Sequence, residues 1–196
     1  MVLLTPNFIE AFEFSNFKFN VGYIGYTGYA EFSKETCLKS FFEIDLCNFG
    51  FEFDTGIGYT QLGLEISPIK FWLYGDDENH FGGGDEFRYS FFNFGIYWKL
   101  FDGDIFQNNT VEIILFNKIN YIYTAEKFHF KWDEYIYSAG IRTVLTYDHF
   151  YNLFNIELGY RSMNRKNGLY TNVNIDIGAL FIIWLKSESN KEKKEE

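Results

Sequence analysis

The chain has 196 residues, carries 27 Asp+Glu against 17 Lys+Arg for a net charge of −10, and draws 22% of its residues from Phe, Tyr and Trp with only 2 Pro. Its length suits a single domain, its aromatic weighting favours strands over helices, and its acidic balance excludes the basic face that nucleic acid requires. Cys37, Cys47, His80, His129 and His149 offer no zinc spacing, and the extended run between the two cysteines is too long for a disulfide.

Residues 1–14 read as a lead-in. "MVLLTPNFIEAF" lacks the basic n-region and apolar h-region of a secretion signal. No later run approaches the 18 consecutive apolar residues of a membrane-spanning helix. Eight strands are predicted, over 15–32, 37–47, 49–74, 86–100, 108–123, 132–147, 150–161 and 170–185. In the first, Phe17, Phe19, Val21 and Tyr23 share a face, but after Gly25 the apolar side continues on Ile24, Tyr26, Ala30 and Phe32. A slip of one residue predicts a β-bulge in "VGYIGYTGY", with Tyr23, Tyr26 and Tyr29 toward the loop end.

"CNFG", "FDGD" and "YDHF" read as tight turns after strands two, four and six. "SKET", "GDDENHFGGGD", "TAEKFHFK" and "SMNRKNGL" read as longer polar connections after strands one, three, five and seven. Alternation within the strands is clean. Phe49, Phe51, Phe53, Ile57 and Tyr59 oppose Gly50, Glu52, Asp54, Gly56 and Gly58. Phe92, Phe94, Ile96, Trp98 and Leu100 oppose Asn93, Gly95, Tyr97 and Lys99. Phe154, Ile156, Leu158 and Tyr160 oppose Asn155, Glu157, Gly159 and Arg161. Val173, Ile175, Ile177, Ala179, Phe181 and Ile183 oppose Asn172, Asn174, Asp176 and Gly178.

The polar face decides between two architectures. A soluble sandwich or lipocalin-like barrel turns its aromatic face inward and covers the other with Lys, Glu and Arg. Here that other face is crowded with Gly and Asn, which suit a narrow polar lumen. Short turns at one end, longer connections at the other and an even strand count match a transmembrane barrel. The expected fold is therefore all-β, an eight-stranded antiparallel up-and-down transmembrane β-barrel. It forms one domain over residues 1–185, with a charged disordered tail at 186–196.

Alternating Phe49 to Tyr59, the turn Asp102-Gly103 and an aromatic-rich last strand ending "FIIWL" resemble the small eight-stranded outer-membrane barrels, the class of the OmpA transmembrane domain and OmpX. The likeness spans about residues 15–185, is architectural and rests on no specific motif. It implies a monomer in a bacterial outer membrane, with the lipid bilayer as partner. The chain departs from that class at its end, where "KSESNKEKKEE" follows Leu185 in place of a terminal aromatic residue.

Candidate chemistry concentrates on the polar face. A turn at Asn48-Phe49 sets Asp45 opposite Glu52 and Glu43 opposite Asp54, a quartet that needs cations, and Lys18, Lys99 and Arg142 are the candidates at similar depth. The principal expectation is a structural charge network filling the lumen, with proton or cation binding as the alternative. The acidic stretch "GDDENHFGGGDEF" presents hard oxygens, but its spacing matches no established calcium loop, and "DGDIFQNNTVEI" fails the EF-hand pattern at Gln107 and Ile113. Asn108-Asn109-Thr110 fits a glycosylation sequon. His80 and His129, with Ser90 or Ser138, show no diagnostic catalytic spacing, and there is no P-loop or dinucleotide fingerprint. The functional expectation is an integral outer-membrane protein, not an enzyme, with no cofactor and no open pore. Its role is envelope structure, adhesion or surface interaction, with the acidic loops as an extracellular ligand surface. The alternatives are a soluble barrel that binds a hydrophobic ligand and a barrel-embedded lipid-modifying enzyme.

Overall fold

In a computed structural model the described residues are 13–32, 37–55, 60–74, 86–106, 109–124, 134–147, 151–163 and 166–195. They form eight strands, β1 (Glu13–Glu31), β2 (Cys37–Asp54), β3 (Gln61–Tyr74), β4 (Glu86–Phe106), β5 (Asn109–Thr124), β6 (Glu134–Tyr147), β7 (Tyr151–Met163) and β8 (Lys166–Asp176), followed by one helix, α1 (Ile177–Glu195). Each strand pairs antiparallel with its neighbour in sequence, and β8 pairs with β1, so a single sheet closes into a ring.

Alternation fixes which side chains enter the ring, because successive residues of a strand point to opposite faces. On β5, Thr110, Glu112, Ile114, Phe116 and Asn120 are buried inside, while Ile113 and Leu115 are exposed outside. The outer wall carries Phe17, Phe19, Ile24, Phe42, Phe94, Ile96, Trp98, Ile141, Leu158, Leu169 and Ile175, all exposed.

β1 to β4 share one irregularity. Asn20 and Tyr23 both point inward, as do Asp45 and Asn48, Ser67 and Lys70, and Ser90 and Asn93. Each pair is separated by two residues instead of one, so each strand changes phase there. Cross-strand partners must lie on the same face, and the pairs Asn20↔Asn48, Tyr23↔Asp45, Asp45↔Lys70, Ser67↔Asn93 and Lys70↔Ser90 carry the slip from strand to strand. It ends between Ser90 and Phe94, where a register shift against β5 absorbs the extra residue. The slip in β1 therefore falls at Gly22, with φ 81, and not after Gly25. Tyr23 and Tyr29 consequently turn inward and are buried, leaving Tyr26 alone of the three tyrosines outside.

Two expected turns are strand instead. β2 runs through Asn48-Phe49 and β4 through Asp102-Gly103, and the resemblance drawn from that second turn loses its support. The double outward step at Leu46 and Cys47 imitates a break in alternation. A long β2 also avoids folding Asp45 onto Glu52, placing them instead opposite Tyr23 and Asn16 of β1. In β4, register shifts at Lys99/Phe101 and Asp104/Phe106 accommodate the irregular "FDGDIF" without ending the strand. Cys37 and Cys47 lie on β2, and Cys47 has a free thiol.

The last strand is shorter than expected. β8 ends at Asp176, and residues 177–195 are helical, including 186–195, which were expected to be disordered. Beyond Asp176 the run "IGALFIIWL" is apolar at nearly every position, so either phase of a continued strand sends large apolar side chains toward polar Lys18 and Asn20. Asp176 caps the helix instead, its Oδ1 accepting the Ala179 N–H at 2.8 Å. Because Tyr23 pairs with Asp176, the described part of β1 before Tyr23 has β2 on one side and α1 on the other.

Among the described residues, Gly22 is the glycine whose positive φ penalises a side chain. Gly22→Val is expected to destabilise the folded protein by about 1–2 kcal/mol. Gly28→Ala, with nothing within 4 Å of the added methyl, is expected to stay within about 0.5 kcal/mol. Urea unfolding followed by tryptophan fluorescence measures both.

Candidate functional site inside the ring

Ionised side chains line the interior. Glu43, Asp45, Glu52, Glu65, Glu112 and Glu157 face Lys18, Lys70, Lys99, Lys118, Arg142 and Arg161 within the ring. Charges withdrawn from water require partners, and three groups of contacts supply them.

Toward the end where the chain enters β1, Lys18 contacts Glu112 at 2.7 Å and Glu52 at 3.0 Å, while Lys99 contacts Glu52 at 3.3 Å and Glu112 at 3.4 Å. Tyr97 Oη–H donates to Glu52 at 3.0 Å. Gly63 makes room for that ring: a Cβ there would lie 2.0 Å from Tyr97 Cζ. In the middle, Arg142 donates through Nε to Glu157 at 2.9 Å and through Nη1 to Glu65 at 2.8 Å, while Lys118 lies 2.6 Å from Glu157. Tyr170 completes the Glu157 shell at 3.0 Å, and Phe116 takes Lys118 and Arg142 against its ring, each 5.1 Å from the centroid. Toward the other end, Glu43 meets Arg161 at 2.9 Å and Lys70 at 2.6 Å and accepts from Thr27 at 2.6 Å. Arg161 stacks 4.0 Å from the Tyr170 centroid and donates to Ser138 at 3.0 Å.

These contacts cross the lumen. Lys18 to Glu112 joins β1 to β5, opposite walls of an eight-strand ring, Arg142 to Glu65 joins β6 to β3, and Arg161 to Glu43 joins β7 to β2. Space inside is correspondingly small. One cavity of about 60 Å³ lies among Lys18, Tyr23, Asp45, Glu65 and Lys118, and another of about 30 Å³ among Asp45, Ser67 and Asn93. Such volumes suit a few water molecules.

Lys18, Lys99, Arg142, Glu43, Asp45 and Glu52 all belong to this interior. The structure brings Lys18 and Lys99 to Glu52 but does not bring Arg142 to any of the four predicted carboxylates. The proposed facing of Asp45 with Glu52 and of Glu43 with Asp54 is overturned, since all four share β2. Asp45 accepts from Ser67 at 2.6 Å, and Asp54 is exposed at the strand end. Glu65, Lys70, Glu112 and Lys118 were not singled out. For Lys70 and Glu65 the signal was obscured by reading 49–74 as one strand, and for Glu112 and Lys118 by β5 being apolar on both faces. Glu157 and Arg161 were legible as the polar side of "FNIELGYR".

Ser90 and Ser138 are occupied in hydrogen bonds with Asn93 and Arg161. His80, His129, His149, Asn108 and the acidic residues 76–78 and 85 lie outside the described residues. Among the described residues no group of three or more His, Cys, Asp or Glu is placed to hold a metal ion. Compared with protein-family models, curated proteins and solved structures, the chain matches none.

Desolvation offsets much of the attraction in a buried ion pair, whereas removing one partner leaves the others buried and uncompensated. Glu43→Ala, which deprives Arg161 and Lys70 together, is expected to cost about 3–5 kcal/mol. Lys166→Ala, at an exposed contact of 3.8 Å with Glu31, is expected to cost at most about 1 kcal/mol. Equilibrium unfolding in urea compares the two.

Proposed function

We propose that this protein is an integral β-barrel of a bacterial outer membrane, closed to solutes, with a role in envelope structure, adhesion or surface interaction. The observation that carries this reading is inverted polarity: charged and amide side chains crowd the ring around a smaller set of buried apolar ones such as Phe41, Phe116 and Ile136, while large apolar side chains cover its outside. Water favours the reverse arrangement, and a bilayer favours this one, because the outer apolar side chains meet hydrocarbon and the strands satisfy one another's backbone groups wherever they pair, with α1 standing beside the part of β1 that β8 does not reach. A soluble barrel for a hydrophobic ligand would need an apolar cavity, and the interior cavities are small and lined by charge. Cross-lumen ion pairs speak against a diffusion pore for the same reason.

The interior holds carboxylates and cations in near balance, and residues 186–196 contain four Lys and four Glu. The net charge of −10 therefore belongs mainly to strand ends and connections, including Asp76, Asp77, Glu78 and Asp85. Those connections are the proposed extracellular contact surface, and no catalytic role is assigned.

In SDS gels the detergent-folded protein is expected to migrate faster unheated than boiled. Identical mobility in both states, together with recovery from cytosol without detergent, would defeat the membrane reading. A substitution sharpens the test: Ile141→Lys, on the exposed outer wall, is expected to cost about 2–4 kcal/mol in lipid vesicles. The same change on a water-facing surface would lie within about 0.5 kcal/mol.

A further inference from the structure

α1 is unlike the rest of the chain. Its first half, "IGALFIIWL", is apolar, and its second half, "KSESNKEKKE", is charged. Ala179 is buried against the ring, but Ile177, Leu180, Phe181, Ile182, Trp184 and Leu185 are exposed, the last two at 56% and 47%. A helix in water would tuck such residues against the protein. Of these, Ile182 lies beside the exposed Phe17, Phe19 and Val21 of β1, where β8 has ended and the helix replaces it as the neighbour of β1. A groove of about 330 Å³ separates helix and strand, with Phe17, Phe19, Val21 and Ile182 along it and Lys18 and Asn20 on the inner side. No helix in the described residues is long and apolar enough to cross a membrane.

We propose that α1 is a bilayer-interface helix. Its apolar half lies in the outer acyl region and covers the part of the wall that β8 leaves open, and its charged half emerges into water. The inference rests on the membrane reading and adds a second, helical contact with the same lipid. Three features select a bilayer as occupant. Ile182 meets the apolar outer wall at Phe17, Phe19 and Val21, and Ile177, Leu180, Phe181, Trp184 and Leu185 are exposed on the same helix. The change from apolar to charged sequence falls within one turn, at Lys186. Trp184, its ring 5.8 Å from that of Phe181, stands at that change, at the level where amphipathic rings meet headgroups.

Depth-dependent quenching tests this with two single-tryptophan proteins. Trp72→Phe and Trp132→Phe are common to both; adding Trp184→Phe leaves Trp98 on the outer wall, and adding Trp98→Phe leaves Trp184 on α1. Each is first checked for the cold-SDS mobility of the parent, then placed in vesicles of phosphatidylcholine brominated near the headgroup or near the chain ends. The expected result is quenching of both, with Trp184 responding most to bromine near the headgroup. Trp98 quenched and Trp184 unaffected would overturn the helix inference alone. Trp184 quenched most by chain-end bromine would also overturn it, since residues 177–185 would then run deep in the membrane. If neither responds, the membrane reading itself falls.

Discussion

Ion pairs drawn across a narrow lumen are the constraint on which the fold depends. Glu43, Glu52 and Glu157 each hold two cations from other strands, and Arg161 reaches Glu43 from three strands away around the ring. A strand that moved along its neighbour by one residue would turn its charges outward and leave its former partners unpaired in a place water barely reaches. The lattice therefore specifies one register more than it adds net stability, because desolvation offsets most of the attraction within each pair. Glycines belong to the same arrangement. Gly25 lies so close to the Asn174 amide, and Gly63 to the Tyr97 ring, that a methyl group at either would collide with them.

Much of this was legible because a barrel wall is written in a period of two. The number of strands, their antiparallel order and the division into apolar and polar faces follow from alternation and the turns between its runs, and β1, β5, β6 and β7 lie close to their expected positions. What was hidden was where alternation fails without the strand ending. Leu46 and Cys47, two consecutive outward residues inside β2, look like a turn to any reading that allows one phase per strand. The interior network was accordingly half visible. Lys18, Lys99 and Glu52 could be found from face and depth, but their partners depend on the register of strands far apart in sequence, such as Lys18 of β1 with Glu112 of β5.

The end of β8 was obscured for a different reason. "IGALFIIWL" has the composition of a strand and can be made to alternate, because nearly every residue in it is apolar. Its strand character is thus undecided locally, and the decision falls to the cap that Asp176 forms and to the polar interior that a longer strand would have to meet. A wall with one helical panel is asymmetric, and the unmatched stretch of β1 from Glu13 to Gly22 is where it departs furthest from an idealised barrel.

The phase change shared by β1, β2, β3 and β4 bears on how such a chain can vary over generations. Inserting or deleting one residue within any of these four strands would put that strand out of step with both neighbours, so a tolerated change would need matching edits nearby. Between β4 and β5 the mismatch is already absorbed by a bulge, and that boundary is where a lone length change would do least harm. The ring is therefore expected to evolve as two blocks of four strands, the first with lengths locked together by the shared phase change and the second held in register by its ion pairs.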